Sequence, residues 1–293
     1  MDRQGLFRRL ARKLDKTLAS PFFIDQWIIL AGRGLDYRSL DWRALAPLAP
    51  PRDRYWGDPF VWEQGDRYYV FIEEKPYATG RGRIACLTLD RAGKLLAQQV
   101  VLERPYHLSY PFLFEQRGEL YMIPETAEQR AVQLYRCAHF PDRWEFVKDL
   151  LHDIYAVDAT LLEHAGQYWL FANVKVPGGS SLDALHLFSS PDLLGGPWQP
   201  HPRNPIVRDL GSARPAGRIF KDGADLIRPA QDNSRRYGYA LKFERIVTLD
   251  ESDYREEPAG SFTPRRSPYL AVHTFNRAGD LTVVDAIWRR RKP

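Results

Sequence analysis

The stretch GDPFVWEQGDRYYVF, residues 57 to 71, decides the fold, because variants of it return along the same chain. SYPFLFEQRGELYMI (109 to 123), VDATLLEHAGQYWLF (157 to 171) and the looser ARPAGRIFKDGADLI (213 to 227) keep its plan. Each opens on a polar residue, runs through bulky apolar side chains, turns on a polar pair containing Gly, and returns through an apolar run. Aromatic and β-branched residues suit a pleated, half-buried surface, and short polar turns with Gly join antiparallel strands, so each copy predicts a β-hairpin. A fifth copy, YLAVHTFNRAGDLTVVDAIW, occupies 269 to 288. The heads fall at Asp58, Tyr110, Asp158, Arg214 and His273, a period of roughly fifty residues, which fits propeller blades.

Further apolar runs complete the blades. RIACLTLD and QQVVLE follow the first hairpin, AVQLYRCA and WEFVKDLL the second, ALHLFSS and the NPIV region the third, and YGYALKFERIVTL the fourth. Little chain remains after the fifth hairpin, so its outer strands are expected from QWIILAG and the WRALAPL region ahead of the first head. Closure of the ring by both ends of the chain leaves no open strand edge at the seam. The fold expected is all-β: a five-bladed β-propeller over residues 21–293, closed by the N-terminal strand and preceded by a short helix over 1–20.

A chain of 293 residues with 44% hydrophobic and 13% aromatic content can fill such a core. Cys86 and Cys137 fall in apolar strand patterns of different blades, the usual setting of buried reduced thiols. Residues 1–20 carry a net +4 and Arg289 to Lys292 another +4, so of the total of +5 the body between them carries −3. That sign disfavours a nucleic-acid channel. In LFRRLARKLDKTL a helix would set Leu6, Phe7, Leu10, Leu14 and Leu18 against a basic face. This is the pattern of a helix lying on an anionic membrane surface, or of one packed across the propeller's outside. Either reading predicts a cytoplasmic protein; the first puts it at the inner face of the membrane.

Inner-strand heads of a propeller tend to face a central funnel. Besides the five heads, second-strand ends contribute Glu73, Glu74, Glu125, Asn173, Asp232 and Asp285. Carboxylates, an imidazole and a guanidinium gathered at one funnel make a candidate site. Trp56, Tyr110 and Tyr155 are candidate sugar-stacking platforms, although each suits packing between blades as well. No phosphate loop, nucleophile elbow, zinc signature or EF-hand occurs. No metal-ligand spacing is present, so no cofactor is expected.

WGDPF before a hairpin, and YAVDATLLEHAGQYWLFAN a hundred residues later, resemble the five-bladed propeller glycosidases and transglycosidases of the arabinanase, invertase and levansucrase type. That resemblance implies that Asp58 is base or nucleophile and that Asp158 tunes acidity and holds sugar hydroxyls. A closer resemblance runs from about residue 25 to 288. WGDPF with IEE, SYPFLFE with MIPET, VDATLLE with YWLFAN, PHPRNPIV, SARPAG, RPAQD and HTFN are similar to the propeller ahead of the transferase domain in glucosamine inositolphosphorylceramide transferases. It implies a part in building glycolipids or surface polysaccharides.

The departure from the glycosidases is Arg214, which stands where their general-acid Glu would be. Arginine does not give up a proton near neutral pH, but it binds phosphate through a bidentate fork. A phosphate leaving group needs no proton, so this pattern points to a glycosyltransferase taking a nucleotide-sugar or lipid-phosphate sugar and a glycan or lipid acceptor. Asp58 would then orient or activate the acceptor, Asp158 hold the sugar, and Arg214 with Arg228 clamp the phosphate. His273, Tyr110, Trp56 and Asp232 complete the candidate binding residues. The alternative is a glycoside hydrolase or transglycosidase using Asp58 with Glu125. A second alternative is a non-catalytic glycan-binding scaffold.

Overall fold

A computed structural model of the chain describes residues 23–291. The expected helix at 1–20 lies outside the described residues. Within them, helical structure is confined to three short 3₁₀ turns, and no helix is long and apolar enough to cross a membrane.

Five four-stranded antiparallel sheets form the blades of a propeller. Blade 1 comprises Arg54–Gln64, Arg67–Pro76, Arg83–Leu89 and Leu95–Leu102. Blade 2 comprises Ser109–Gln116, Glu119–Glu125, Ala131–His139 and Arg143–His152. Blade 3 runs through Ala156–His164, Gln167–Val174, Leu185–Ser190 and Gln199–Pro200, and blade 4 through Phe220–Asp222, Asp225–Asp232, Ala240–Leu249 and Tyr254–Phe262. In blade 5 the order is Phe275–Ala278, Leu281–Arg291, Phe23–Arg33 and Ala46–Leu48. The ring therefore closes as expected: Trp27 to Leu30 pair with Ile287 to Val284, and the WRALAPL region supplies the outermost strand. The basic tail belongs to this seam. Arg289 pairs with Asp25, and Arg290 donates to the Gln26 side chain.

The repeated turns adopt the backbone that their residues favour. Arg117–Gly118 and Ala165–Gly166 both have positive φ at the two turn positions, the geometry whose twist matches two flanking strands. Blade 3 departs from expectation at its outer edge. Instead of a continuous NPIV strand, Gln199–Pro200 pairs with Ser189 and Phe188, and Val207 bridges Leu185. Between them the Asn204 amide exchanges two hydrogen bonds of 2.8 Å with the Leu187 backbone. A side chain thus stands in for a missing ladder rung, which is why the pattern read as strand.

Apolar side chains fill the seams between neighbouring blades all the way round. Phe60, Phe71, Phe112, Met122 and Leu170 join blades 1 to 3; Trp169, Leu187, Ile219 and Ile246 join blades 3 and 4. Phe243, Phe275 and Val284 join blades 4 and 5, and Ile29, Val70, Ile72 and Val283 join blades 5 and 1. Both cysteines are free; Cys86 is buried and Cys137 half-buried. This rigid ring fixes the positions of whatever projects from the inner strand ends.

Candidate functional site

Blades 1 to 3 position their heads by one device. Asp58, Tyr110 and Asp158 have φ of 50°, 44° and 54°, and each is followed by a break in strand register. This bulge turns the head residue out of the strand alternation and toward the axis. Left-handed backbone is tolerable for Asp, but for Tyr it is strained and needs compensation from its surroundings. Tyr110 receives it: the phenol is fully buried, bonds Thr160 Oγ1 at 2.8 Å, and accepts the Gly217 N–H at 2.8 Å from blade 4. Gly217 also lies close against blade 5, where a Cβ would come within 2.0 Å of the Phe275 carbonyl oxygen.

Around the axis the charged groups form two connected clusters. In the first, Asp58 accepts from Thr274 Oγ1 at 2.9 Å and from the Tyr110 N–H at 3.2 Å, while its own N–H donates to Asp285. His273 places Nδ1 2.5 Å from Asp285 and Nε2 3.8 Å from Asp58. The imidazole is sandwiched by Trp27, stacked at 4.0 Å, and the Tyr237 edge at 5.3 Å. In the second cluster, Arg214 Nε and Nη2 grip Asp158 at 2.5 and 3.2 Å, and Nη2 is 3.9 Å from Glu125. Gln231 adds a bond of 3.0 Å to Asp158. The Tyr237 ring covers the guanidinium at 5.3 Å and is 39% exposed, so it stands at the mouth.

Burial sets the protonation pattern. Loss of water pushes the Asp58 carboxyl up to about 6, against the pull of His273 and with the push of Asp158. Burial also raises Glu125 well above the usual range, and neighbouring Asp158 adds to it more than Arg214 relieves it. At neutral pH, then, Asp58 is largely ionised, while Glu125 holds its proton more tightly than an ordinary carboxyl. For His273 burial acts downward, but Asp285 outweighs it and the imidazole rises to about 9.

The sign of this last shift gives a prediction. His273 titrates near 6.5 when unfolded, so its ion pair stabilises the fold fully below that pH, and the contribution is lost as pH rises through about 9. The loss of melting temperature between pH 6.5 and 9 should be clearly smaller in His273→Gln than in the parent. Equal pH slopes in the two proteins would refute the pairing.

Ligand atoms of Asp58, His273 and Asp285 all lie within 4.8 Å of one another, close enough to suggest a cation site. The donor set does not fit one. Asp285 already accepts the His273, Thr274 and Asp58 N–H groups as well as His273 Nδ1. A cation would have to displace these bonds, so the trio is arranged to hold protons.

The structure brings together Asp58, Asp158, Glu125, Arg214 and His273, and it commits four other candidates to other contacts. Trp56 is 2% exposed in the seam of blades 5 and 1, its indole donating to Glu74. Arg228 is 1% exposed and held by Glu256 at 2.8 and 2.6 Å, so it is not a free phosphate clamp. Asp232 accepts from the Ser234 N–H and hydroxyl in a tight turn. Tyr110 is turned toward the axis like the other bulged heads, but its phenol is fully buried and spent on Thr160 and Gly217, so it is no stacking platform. Trp56 keeps the strand alternation and points into a blade seam, whereas the bulge turns Asp58, two residues on, to the axis; Arg228 and Asp232 are taken up by partners on their own blade. Tyr155 is half-buried, with Lys175 over its ring at 5.3 Å. Thr274, Gln231 and Tyr237 were not picked out from sequence, and only the HTFN and RPAQD runs hinted at the first two.

The fold is a five-bladed propeller of the kind found in glycoside hydrolases. The chain superposes with a TM-score of 0.57 on a family 117 glycoside hydrolase of Zobellia galactanivorans, at 12% identity and covering 90% of each chain. It superposes equally, at 0.57 and 12% identity, on the catalytic domain of a Coprinopsis cinerea GH62 α-L-arabinofuranosidase, covering 89% of this chain and 97% of that one. At such identities the likeness concerns the fold alone. Sequence identifies the family: residues 49–266 match the glucosamine inositolphosphorylceramide transferase 1, N-terminal family, and the chain belongs to it. It is 37% identical over 205 residues to glucosamine inositolphosphorylceramide transferase 1 of Oryza sativa subsp. japonica, covering 69% of this chain and 27% of that protein. The Arabidopsis thaliana protein of that name is 36% identical over 204 residues, 68% and 26% of the two chains. The chain thus spans about a quarter of the length of these relatives.

Proposed function

We propose that the funnel is a glycosyl-transfer site used in making a glycolipid or surface polysaccharide. The observation that carries this reading is Asp58. Two hydrogen bonds orient its carboxylate, His273 flanks it, and burial leaves it poised near neutrality at about 6, the condition for a general base toward an acceptor hydroxyl. Family relatives that carry the name glucosamine inositolphosphorylceramide transferase 1 support a sugar donor and a glycolipid acceptor. Arg214 spends Nε and Nη2 on Asp158, which leaves Nη1 without a hydrogen bond to the described residues and available to an anionic donor group. Asp158, 1% exposed, acts through Arg214 and does not itself hold sugar hydroxyls.

A second reading, glycosidic cleavage, is favoured by one specific feature: burial and the Asp158 charge raise the Glu125 carboxyl well above the usual range, the direction a general acid needs, in the same funnel as Asp58. Incubation with a panel of nucleotide-sugars and a lipid or oligosaccharide acceptor separates the two. Free nucleotide with an extended glycan is the expected outcome. A shortened glycan formed without any donor supports cleavage instead, and binding of glycan with no product of either kind leaves a recognition scaffold.

A further inference from the structure

We propose that Gly57, Glu73 and Tyr55 form a hydroxyl-binding subsite beside Asp58, which takes the edge of a neutral sugar ring. This rests on reading the funnel as a carbohydrate site. Glu73 is 6% exposed at the end of its blade 1 strand. Its Oε1 accepts the Tyr55 hydroxyl at 3.0 Å and lies 3.4 Å from His107 Nε2. Oε2 makes no hydrogen bond to the described residues. It faces the space over Gly57, where a Cβ would meet Glu73 Oε2 at 3.7 Å, Tyr55 Cε2 at 3.9 Å and Asp285 Oδ2 at 4.0 Å. The absent side chain therefore leaves a notch edged by two carboxyl oxygens and an aromatic ring.

The neighbouring bonds decide where the Glu73 proton lies. His107 Nδ1 accepts the Gly82 N–H at 2.9 Å, so the neutral imidazole carries its proton on Nε2, the nitrogen 3.4 Å from Glu73 Oε1, and is no acceptor for a Glu73 proton on that side. Burial pushes His107 down to about 4, which keeps it neutral. With the Tyr55 hydroxyl already donating to Oε1 and nothing among the described residues bonded to Oε2, the carboxyl proton belongs on Oε2, aimed into the notch. Burial, assisted by Asp58 and opposed by Lys75, Tyr55 and His273, raises Glu73 to about 8, so the proton is held at neutral pH. Asp285 is the other carboxylate facing the notch. A neutral carboxyl both donates and accepts, which matches a sugar hydroxyl, and Tyr55 Cε2 supplies an apolar border for the sugar C–H next to it.

Saturation-transfer NMR with D-glucose, N-acetyl-D-glucosamine and myo-inositol as probes tests this. At least one should bind the parent protein. Gly57→Ala should weaken that binding about tenfold or more, since a methyl fills the notch and a hydroxyl loses its partner. Gly57 has no positive φ and the nearest atoms are at ordinary contact distance, so this variant should melt like the parent. Glu73→Ala should weaken binding similarly, whereas Glu73→Gln, whose amide also donates, should stay within about threefold. Parent binding should fall as pH rises through about 8, and Glu73→Gln binding should not. Binding by none of the probes, or binding unchanged in Gly57→Ala, overturns the subsite. A protein that transfers sugar but ignores these substitutions loses the subsite and keeps the transfer reading. One that binds sugar through Glu73 and makes no product loses the transfer reading alone.

Discussion

Asp58→Asn is expected to remove turnover almost completely, by about two to four orders of magnitude, the usual worth of a positioned general base. The folded structure should survive, because asparagine keeps the shape and the local bonds. Its carbonyl oxygen can accept the Tyr110 N–H, and its amide group can face Thr274 Oγ1, which is able to accept. Donor binding should persist for the same reason. A second signature follows from the charge: Asp58 helps to raise His273, so removing it should bring the alkaline transition of stability to lower pH. Product formation measured by chromatography, with melting curves alongside, checks both. Turnover within a factor of a few of the parent would remove Asp58 from the chemistry.

Arg214→Ala is expected to produce the largest loss of stability of any single change in the funnel. Asp158 is 1% exposed and takes two of its three side-chain hydrogen bonds from this guanidinium. Breaking a buried pair from one side typically costs about 3–5 kcal/mol, because the remaining charge is left uncompensated. Arg214→Lys should recover only part, since an ammonium cannot reproduce the two-pronged contact. Adding Asp158→Asn to Arg214→Ala should restore more, as the stranded charge disappears; the pair should couple strongly in a double-mutant cycle. Urea unfolding measures this, and a cost below about 1 kcal/mol would mean the pair is not desolvated. Calorimetric titration with a nucleotide-sugar separates the structural role from donor binding: the transferase reading also requires weaker donor affinity in Arg214→Ala. Unchanged affinity would turn the balance toward glycosidic cleavage by Asp58 and Glu125.

The amino-acid sequence by itself determined the architecture. Hairpin copies headed by Asp58, Tyr110 and Asp158 carry their turn residues at fixed offsets, and a local alternation of apolar side chains is enough to specify each strand pair. Even the seam was legible, because QWIILAG had no partner nearby and the fifth hairpin lacked outer strands. Heads and strand ends also gave the main charged groups of the funnel, since a propeller repeats its inner ends at one place. What only the tertiary structure decided is which of these groups are free and which are spent. Arg228 and Arg214 both read as cations near an inner strand, yet one is 1% exposed and locked to Glu256, while the other is 9% exposed beneath the exposed Tyr237 ring. Trp56 and Asp58 are two residues apart, yet one fills a blade seam and the other faces the axis. Pairing between blades joins residues more than 200 positions apart, as Thr274 and Asp58, 216 apart, are joined at 2.9 Å. No local periodicity encodes such a contact: it exists only once the ring has closed, and so do the burial and the proton positions that follow from it.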